Sequence, residues 1–203
     1  MNVNFEYSKT LAGEGAILLL LSLIPYIGWV LGIVGVVLLI RAMKEFSNYY
    51  QDETIYQNAL TGVKFYIIAI IAAAVSGVAI TLGIWSATGF NPVFVLTAGF
   101  GIGLVAFIGG LVIAFIFYIL AASNLKRTFE TLAKKSGENS FNTAASLLWI
   151  GSILTIFIIG LLLILIAWIF ATIGFFSMKS RQYQQYINGY NAPSYTPPPT
   201  PQP

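Results

Sequence analysis

The sequence predicts an all-α, polytopic helical membrane protein, and three observations carry that prediction. Of 203 residues, 58% are hydrophobic and only 8% charged, where a soluble domain carries about 25% charge. Three windows, Gly15–Ile40, Phe65–Leu125 and Asn139–Met178, contain no Asp, Glu, Lys, Arg or His, and a spanning helix needs about 20 mostly apolar residues. Turn-forming residues divide these windows into six helical segments: two apolar hairpins flanking a central helical hairpin.

The elements follow in order. A polar start, 1–9, leads into segment A, 10–24, which Pro25-Tyr26-Ile27-Gly28 interrupts. Segment B, 29–43, precedes the polar stretch 44–61. Segment C, 62–85, ends at a turn in which Asn91 is a suitable N-cap and Pro92 a suitable first helical residue. Segment D then runs 92–123. After the polar stretch 124–142 come E, 143–157, and F, 160–178, with Gly160 at their bend. Residues 179–203 are rich in Gln, Tyr and Pro; this tail is expected to be disordered with polyproline II character.

The first and last apolar runs are too long for one crossing. Thr10–Met43 as a single helix measures about 50 Å at 1.5 Å per residue, against a hydrocarbon core of about 30 Å. Each run must bend, and the expected bends are Pro25, Gly28 and Gly160. If each run crossed once, Arg41, Lys44, Lys64, Lys126, Arg127, Lys134 and Lys135 would face away from the termini. If each folds back, all ten Lys and Arg fall on one face with both termini. The positive-inside rule favours the second topology, with cytoplasmic N- and C-termini. A and E are short enough to be half-membrane or re-entrant.

An internal echo accompanies this pairing. At an offset of 85, Arg41 meets Lys126, Glu45 meets Glu130 and Glu53 meets Glu138; at an offset of 132, Gly28 meets Gly160. Duplicated halves occur in transporters, and chance similarity in apolar sequence is the alternative.

A stripe of small residues is the clearest motif. Ala69, Ala72, Ser76, Ala79 and Gly83 share one face of C; Gly99, Gly103, Ala106, Gly110 and Ala114 share one face of D. In lipid, helices associate by close backbone approach and dispersion, so C and D are expected to pack stripe to stripe. Gly28, Gly32 and Gly35 form a second such face. The basic residues Arg41, Lys44, Lys64, Lys126, Arg127, Lys134, Lys135, Lys179 and Arg181 flank the apolar runs and read as interfacial. Leu125, Phe129, Leu132 and Ala133 form an apolar face in the second polar stretch. In the first, Phe46, Tyr49 and Tyr50 are expected on the headgroup layer, and Asp52 and Thr54-x-x-Gln57 read as helix-start signals.

The chemistry is sparse. The chain has no Cys and no His, which excludes a thiolate nucleophile, a Ser–His triad and Cys/His metal sites. Glu14, near an interface, is the nearest approach to an intramembrane ionisable group. No catalytic, cofactor-binding or metal residue is expected, and a net charge of +3 beside apolar runs marks topology rather than nucleic-acid binding.

The opening Gly13-x-Gly15, the Leu-rich run to Pro25-Tyr-Ile-Gly28-Trp, and Arg41-Ala-Met-Lys-Glu45 resemble a mainly archaeal membrane-protein family known as domain of unknown function 996. Trp149-Ile-Gly151, Gly160, Ala167-Trp168 and Gly174-Phe-Phe-Ser177-Met-Lys179 are similar to that family's end. The resemblance covers 9–179, implies a small multi-pass membrane protein, and brings no functional residues. The sequence thus leads to a non-enzymatic protein of the cell membrane acting through lipid or protein contacts, as scaffold or shaper. Membrane lipids, a second copy or another membrane protein are its expected partners. The alternative is a small transporter or channel with a site between the two hairpins and the central pair.

Overall fold

A computed structural model describes residues 5–89 and 92–180, with side chains for 5–85 and 101–180. These residues form six α-helices and one short 3-10 turn: α1 (Phe5–Leu21), α2 (Gly28–Tyr50), α3 (Glu53–Gly89), α4 (Pro92–Ser136), α5 (Ser140–Ile153), η1 (Leu154–Ile156) and α6 (Ile158–Ser177). Each helix packs on the next and α6 packs on α1, so the helices close into a ring. The ring is built from three antiparallel hairpins.

The polar stretches are not linkers. α2 runs through Arg41 and Lys44 to Tyr50, α3 starts at Glu53, and α4 continues through Lys126 and Lys135 to Ser136. Helical segments C and D are therefore longer than the apolar windows, because mixed charge and good helix formers such as Leu, Lys, Glu and Ala continue a helix once it is nucleated. Two tight corners remain. At the first, Gln51 adopts φ 54°. Asp52 then caps α3: its Oδ1 accepts from the Thr54 amide at 3.1 Å and the Thr54 hydroxyl at 2.6 Å. Gln57 donates to Glu53 at 3.0 Å, so Asp52 makes the cap and Thr54 is its donor. At the second corner α4 stops at Gly137, φ 74°, whose N–H reaches the Ala133 carbonyl at 2.9 Å. Lys135 joins the corners by an ion pair to Asp52 at 2.9 Å.

The core sits at this corner end. Phe46 lies 6.1 Å from Phe5 and stacks on Phe175 at 6.3 Å. Phe175 meets Phe141 at 5.0 Å and Phe129 at 6.2 Å. Five helices each contribute one ring, and α3 adds the fully buried Ile55 and Ala59. This corrects the reading of the polar stretches as surface helices. Phe46 and Tyr50 are 0% and 2% exposed, and Phe129, Leu132 and Ala133 are buried too. An apolar stripe between charges suits a membrane surface and a protein core equally well; here neighbouring helices cover it.

Candidate functional site

Height above this aromatic base divides the molecule. The α5–α6 hairpin rises along α4: Lys126 sits 5.6 Å over the Trp149 ring, and at the tip the Thr155 hydroxyl meets that of Tyr118. On the other side, Leu19, Leu20 and Leu23 at the α1–α2 tip share a cavity wall with Tyr66 and Tyr118. The α5–α6 tip therefore stands beside Tyr118, and the α1–α2 tip shares a cavity with the Tyr66–Tyr118 pair, whose rings lie 6.4 Å apart. α3 and α4 continue beyond it. From Tyr66 to Gly89 the pair extends about 35 Å further at 1.5 Å per residue.

The tips are built alike. A side chain on Gly28 would overlap the Ser22 carbonyl, and one on Gly160 the Leu154 carbonyl, each six residues back. The offset of 132 that relates Gly28 to Gly160 also relates Ser22 to Leu154. It relates the buried pairs Ala12 and Ala144, Leu39 and Ala171, and Met43 and Phe175 as well. Pro25 lies in the first turn, where Tyr26 takes φ 71° and the Gly28 amide returns to the Ile24 carbonyl at 2.9 Å. Within the first hairpin Gly15 and Gly35 face each other, a Cβ on Gly35 meeting the Gly15 carbonyl at 2.8 Å.

Along α3–α4 the small residues form the seam. A Cβ on Gly103 would lie 3.0 Å from the Gly83 Cα and 3.1 Å from the Ala79 carbonyl; one on Gly110 would overlap the Ser76 hydroxyl and lie 3.6 Å from the Ala72 carbonyl. Ala69, Ser76 and Ala114 are buried. Ala106 is exposed, a departure from the expected stripe: spacings of 3 and 4 drift around a straight helix, and Ala106 falls off the contact line. Gly99 lies outside the described side chains. Ser76 satisfies its own hydroxyl on the Ala72 carbonyl at 2.6 Å.

The outer flanks of this pair are bare. Ile67, Ile71, Val75, Val78, Leu82 and Trp85 on α3 are exposed, as are Ile102, Val105, Ile108 and Val112 on α4. The hairpin tips also expose Tyr26, Trp29, Phe157 and Ile158. Such continuous apolar surface is unsuited to water. Three helical stretches, Glu53–Trp85, Gly101–Ser136 and Ile158–Ser177, are long and apolar enough to cross a membrane.

Among the described residues every Lys and Arg lies on the base side of the tyrosine pair. Arg41, Lys44, Lys64, Arg127, Lys134, Lys135 and Lys179 are exposed, and Lys126 pairs with Glu130 at 3.7 Å. Arg181 lies outside the described residues. At the corner, hydrogen bonding from the Thr54 hydroxyl and then the Lys135 ammonium hold the Asp52 carboxyl below its usual range. Among the described residues no cluster of acidic side chains could hold a metal.

Inside the ring is a cavity of about 340 Å³ between the tips of the short hairpins and the α3–α4 pair. Leu19, Val36, Val63, Ala122, Leu165 and Trp168 bring α1, α2, α3, α4 and α6 to it, with hydroxyls from Ser22, Tyr66 and Tyr118. Neither this cavity nor the Lys135–Asp52 bridge carries a spacing signal in the sequence, since each joins residues far apart in the chain.

These features define a helical membrane protein. The chain belongs to the family described as protein of unknown function (DUF996), whose model matches residues 31–169. It is 28% identical over 184 residues to an uncharacterized protein of Methanocaldococcus jannaschii, a match spanning 88% of this chain and 95% of that one. No solved structure matches.

Proposed function

We propose that this protein works without catalysis as a membrane-shaping scaffold, wedging one leaflet from the cytoplasmic side of the cell membrane. The observation that carries it is the difference in depth between the hairpins. From Gly28 to Arg41 the first hairpin offers about 20 Å of charge-free helix, less than a hydrocarbon core of about 30 Å, while α6 of the second hairpin offers about 30 Å. The α3–α4 pair offers about 35 Å beyond Tyr66. Six helices thus form the tier nearest the base, and two continue beyond it. At about 10 Å per helix diameter, that is roughly a threefold difference in cross-section. Stacked upright, the two apolar tiers overrun one hydrocarbon core, and bilayers relieve such mismatch by tilting the helices or deforming around them.

The basic residues support the orientation. Among the described residues all of them lie toward the base, where anionic headgroups on the cytoplasmic leaflet attract them. Lipids are the principal partner in this reading, and the bare α3–α4 flanks leave room for a second copy. A transporter would need a polar route at the centre of the ring; leucine, valine and alanine dominate the cavity there.

Reconstitution into liposomes tests the proposal. At high protein density the protein is expected to convert large vesicles into small vesicles or tubules, read by electron microscopy. Vesicles of unchanged shape at confirmed protein density would contradict it.

A further inference from the structure

We infer that this protein is a ring of three copies of one helical hairpin, and that the middle copy carries an inserted apolar extension, a separate module that meets the hydrocarbon of the bilayer. The two corners set the register. Gln51 and Gly137, 86 residues apart, follow α2 and α4 at positive φ. One residue on, Asp52 and Glu138 each accept from a hydroxyl two residues further, Thr54 at 2.6 Å and Ser140 at 2.9 Å. A left-handed residue followed by such a cap is independent of burial periodicity, which any two packed helices share. Glu6 and Ser8 hold the same places in α1, 46 residues before Asp52 and Thr54. The structure thus sets the echo of the polar stretches at 86 rather than 85.

Burial repeats in this register. Met43, Phe129 and Phe175 are equivalent and each at most 1% exposed, as are Phe46, Leu132 and Met178. On the odd-numbered helices Gly13, Ala59 and Ala145 are equivalent and buried. Val36, Ala122 and Trp168, one from each hairpin, all line the central cavity, so the axis of the repeat passes through it. Because α6 packs on α1, the three copies close on themselves. The steps along the chain then expose the insertion. From α1 to α3 and from α4 to α6 the step is 46; from α2 to α4 and from α3 to α5 it is 86. Only the middle hairpin is longer. Ile68 and Ala114 take the places that Ser22 and Gly28 hold at the first tip, and Leu154 and Gly160 at the last, with 45 residues between them instead of five. The gain is about 20 residues per arm, or about 30 Å, the thickness of one hydrocarbon core. It contains no Asp, Glu, Lys or Arg. Gly83, Gly103 and Gly110 all fall inside it, so the insertion has its own seam, while the ring is held by its aromatic base.

Removing the insertion in register tests this. Residues 69–113 are replaced by the first tip, Leu-Ile-Pro-Tyr-Ile, and, in a second variant, by the last, Thr-Ile-Phe-Ile-Ile; both carry Ala114→Gly. Each is expected to unfold in one cooperative transition in detergent, with the α2 and α4 amides at the base as protected from hydrogen exchange as in the full chain. Two tips are used so that one variant remains if the other fails to purify. A third variant keeps two more residues of the α4 arm, Val112 and Ile113, which turns that helix by about 200° against the base; its base should lose protection. Loss of protection in both in-register variants would overturn the separable extension. Equal protection in the out-of-register variant would overturn the repeat. The repeat does not rest on the wedge reading: an in-register variant that folds and still remodels vesicles would remove the wedge and leave the three copies.

Discussion

The aromatic base and the projecting α3–α4 pair are both helical and both apolar, yet they are held together by opposite means. The base interlocks large side chains: Phe5, Phe46, Phe129, Phe141 and Phe175 come from five helices and bury one another. Among the described side chains of the projecting pair, small residues make the seam, where Gly83, Gly103 and Gly110 bring the backbones together. The contrast follows from solvent. At the base, charges alternate with apolar stripes and water is near, so burying rings is strongly favourable. In hydrocarbon, burial of apolar surface gains little, and close contact between small residues is what remains. The large side chains of the pair accordingly point outward.

Variants can break this contrast. The largest expected effect is at the base. Phe129→Ala removes a ring that touches Phe141, Trp168 and Phe175, and should cost about 3–5 kcal/mol. Thermal unfolding in detergent would show it as a large loss that involves all six helices. Gly110→Leu should cost about 1–3 kcal/mol by overpacking, but locally. Hydrogen exchange should rise along α3–α4 beyond Tyr66 and Tyr118 while the base stays protected. If the base loosens equally, the two regions are not independent.

At the corner the effect is smaller and depends on pH. Asp52→Ala removes both the α3 cap and the bridge to Lys135, costing about 1 kcal/mol. The folded state holds the Asp52 carboxyl below its ordinary value of 3.8. Its contribution is therefore present above the unfolded pKa and lost as pH falls through the folded one. Thermal stability of the native chain should exceed that of the variant at neutral pH, with the gap closing below about pH 4, near the ordinary carboxylate range. The smallest effect sharpens the seam: a Cβ on Gly109 meets nothing within 4 Å. Gly109→Ala should be neutral or stabilising by up to about 1 kcal/mol, in contrast to its neighbour Gly110.

Much of this architecture is written locally. The six helices, the all-α membrane class and the glycine positions at Gly28 and Gly160 follow from charge-free windows and turn residues. The seam between Ser76 and Gly110 follows from spacing. What sequence periodicity could not convey is depth and cover. Phe46 and Phe129 look alike whether a headgroup layer or another helix lies above them, and the same apolar composition serves a hairpin that stops at Tyr118 and one that continues. Those distinctions depend on which helices neighbour one another, as do the central cavity and the bridge between Lys135 and Asp52.

The central claim is that the short hairpins end within the membrane while the α3–α4 pair crosses it. Single cysteines at Tyr26, Ile158 and Thr88 in an otherwise cysteine-free chain test it directly, using a membrane-impermeant maleimide on sealed, oriented vesicles. The account predicts labelling of Thr88→Cys from the face opposite the termini, and protection of Tyr26→Cys and Ile158→Cys from both faces. Labelling of Tyr26→Cys and Ile158→Cys from the same face as Thr88→Cys would contradict it, making all three hairpins full crossings and removing the wedge.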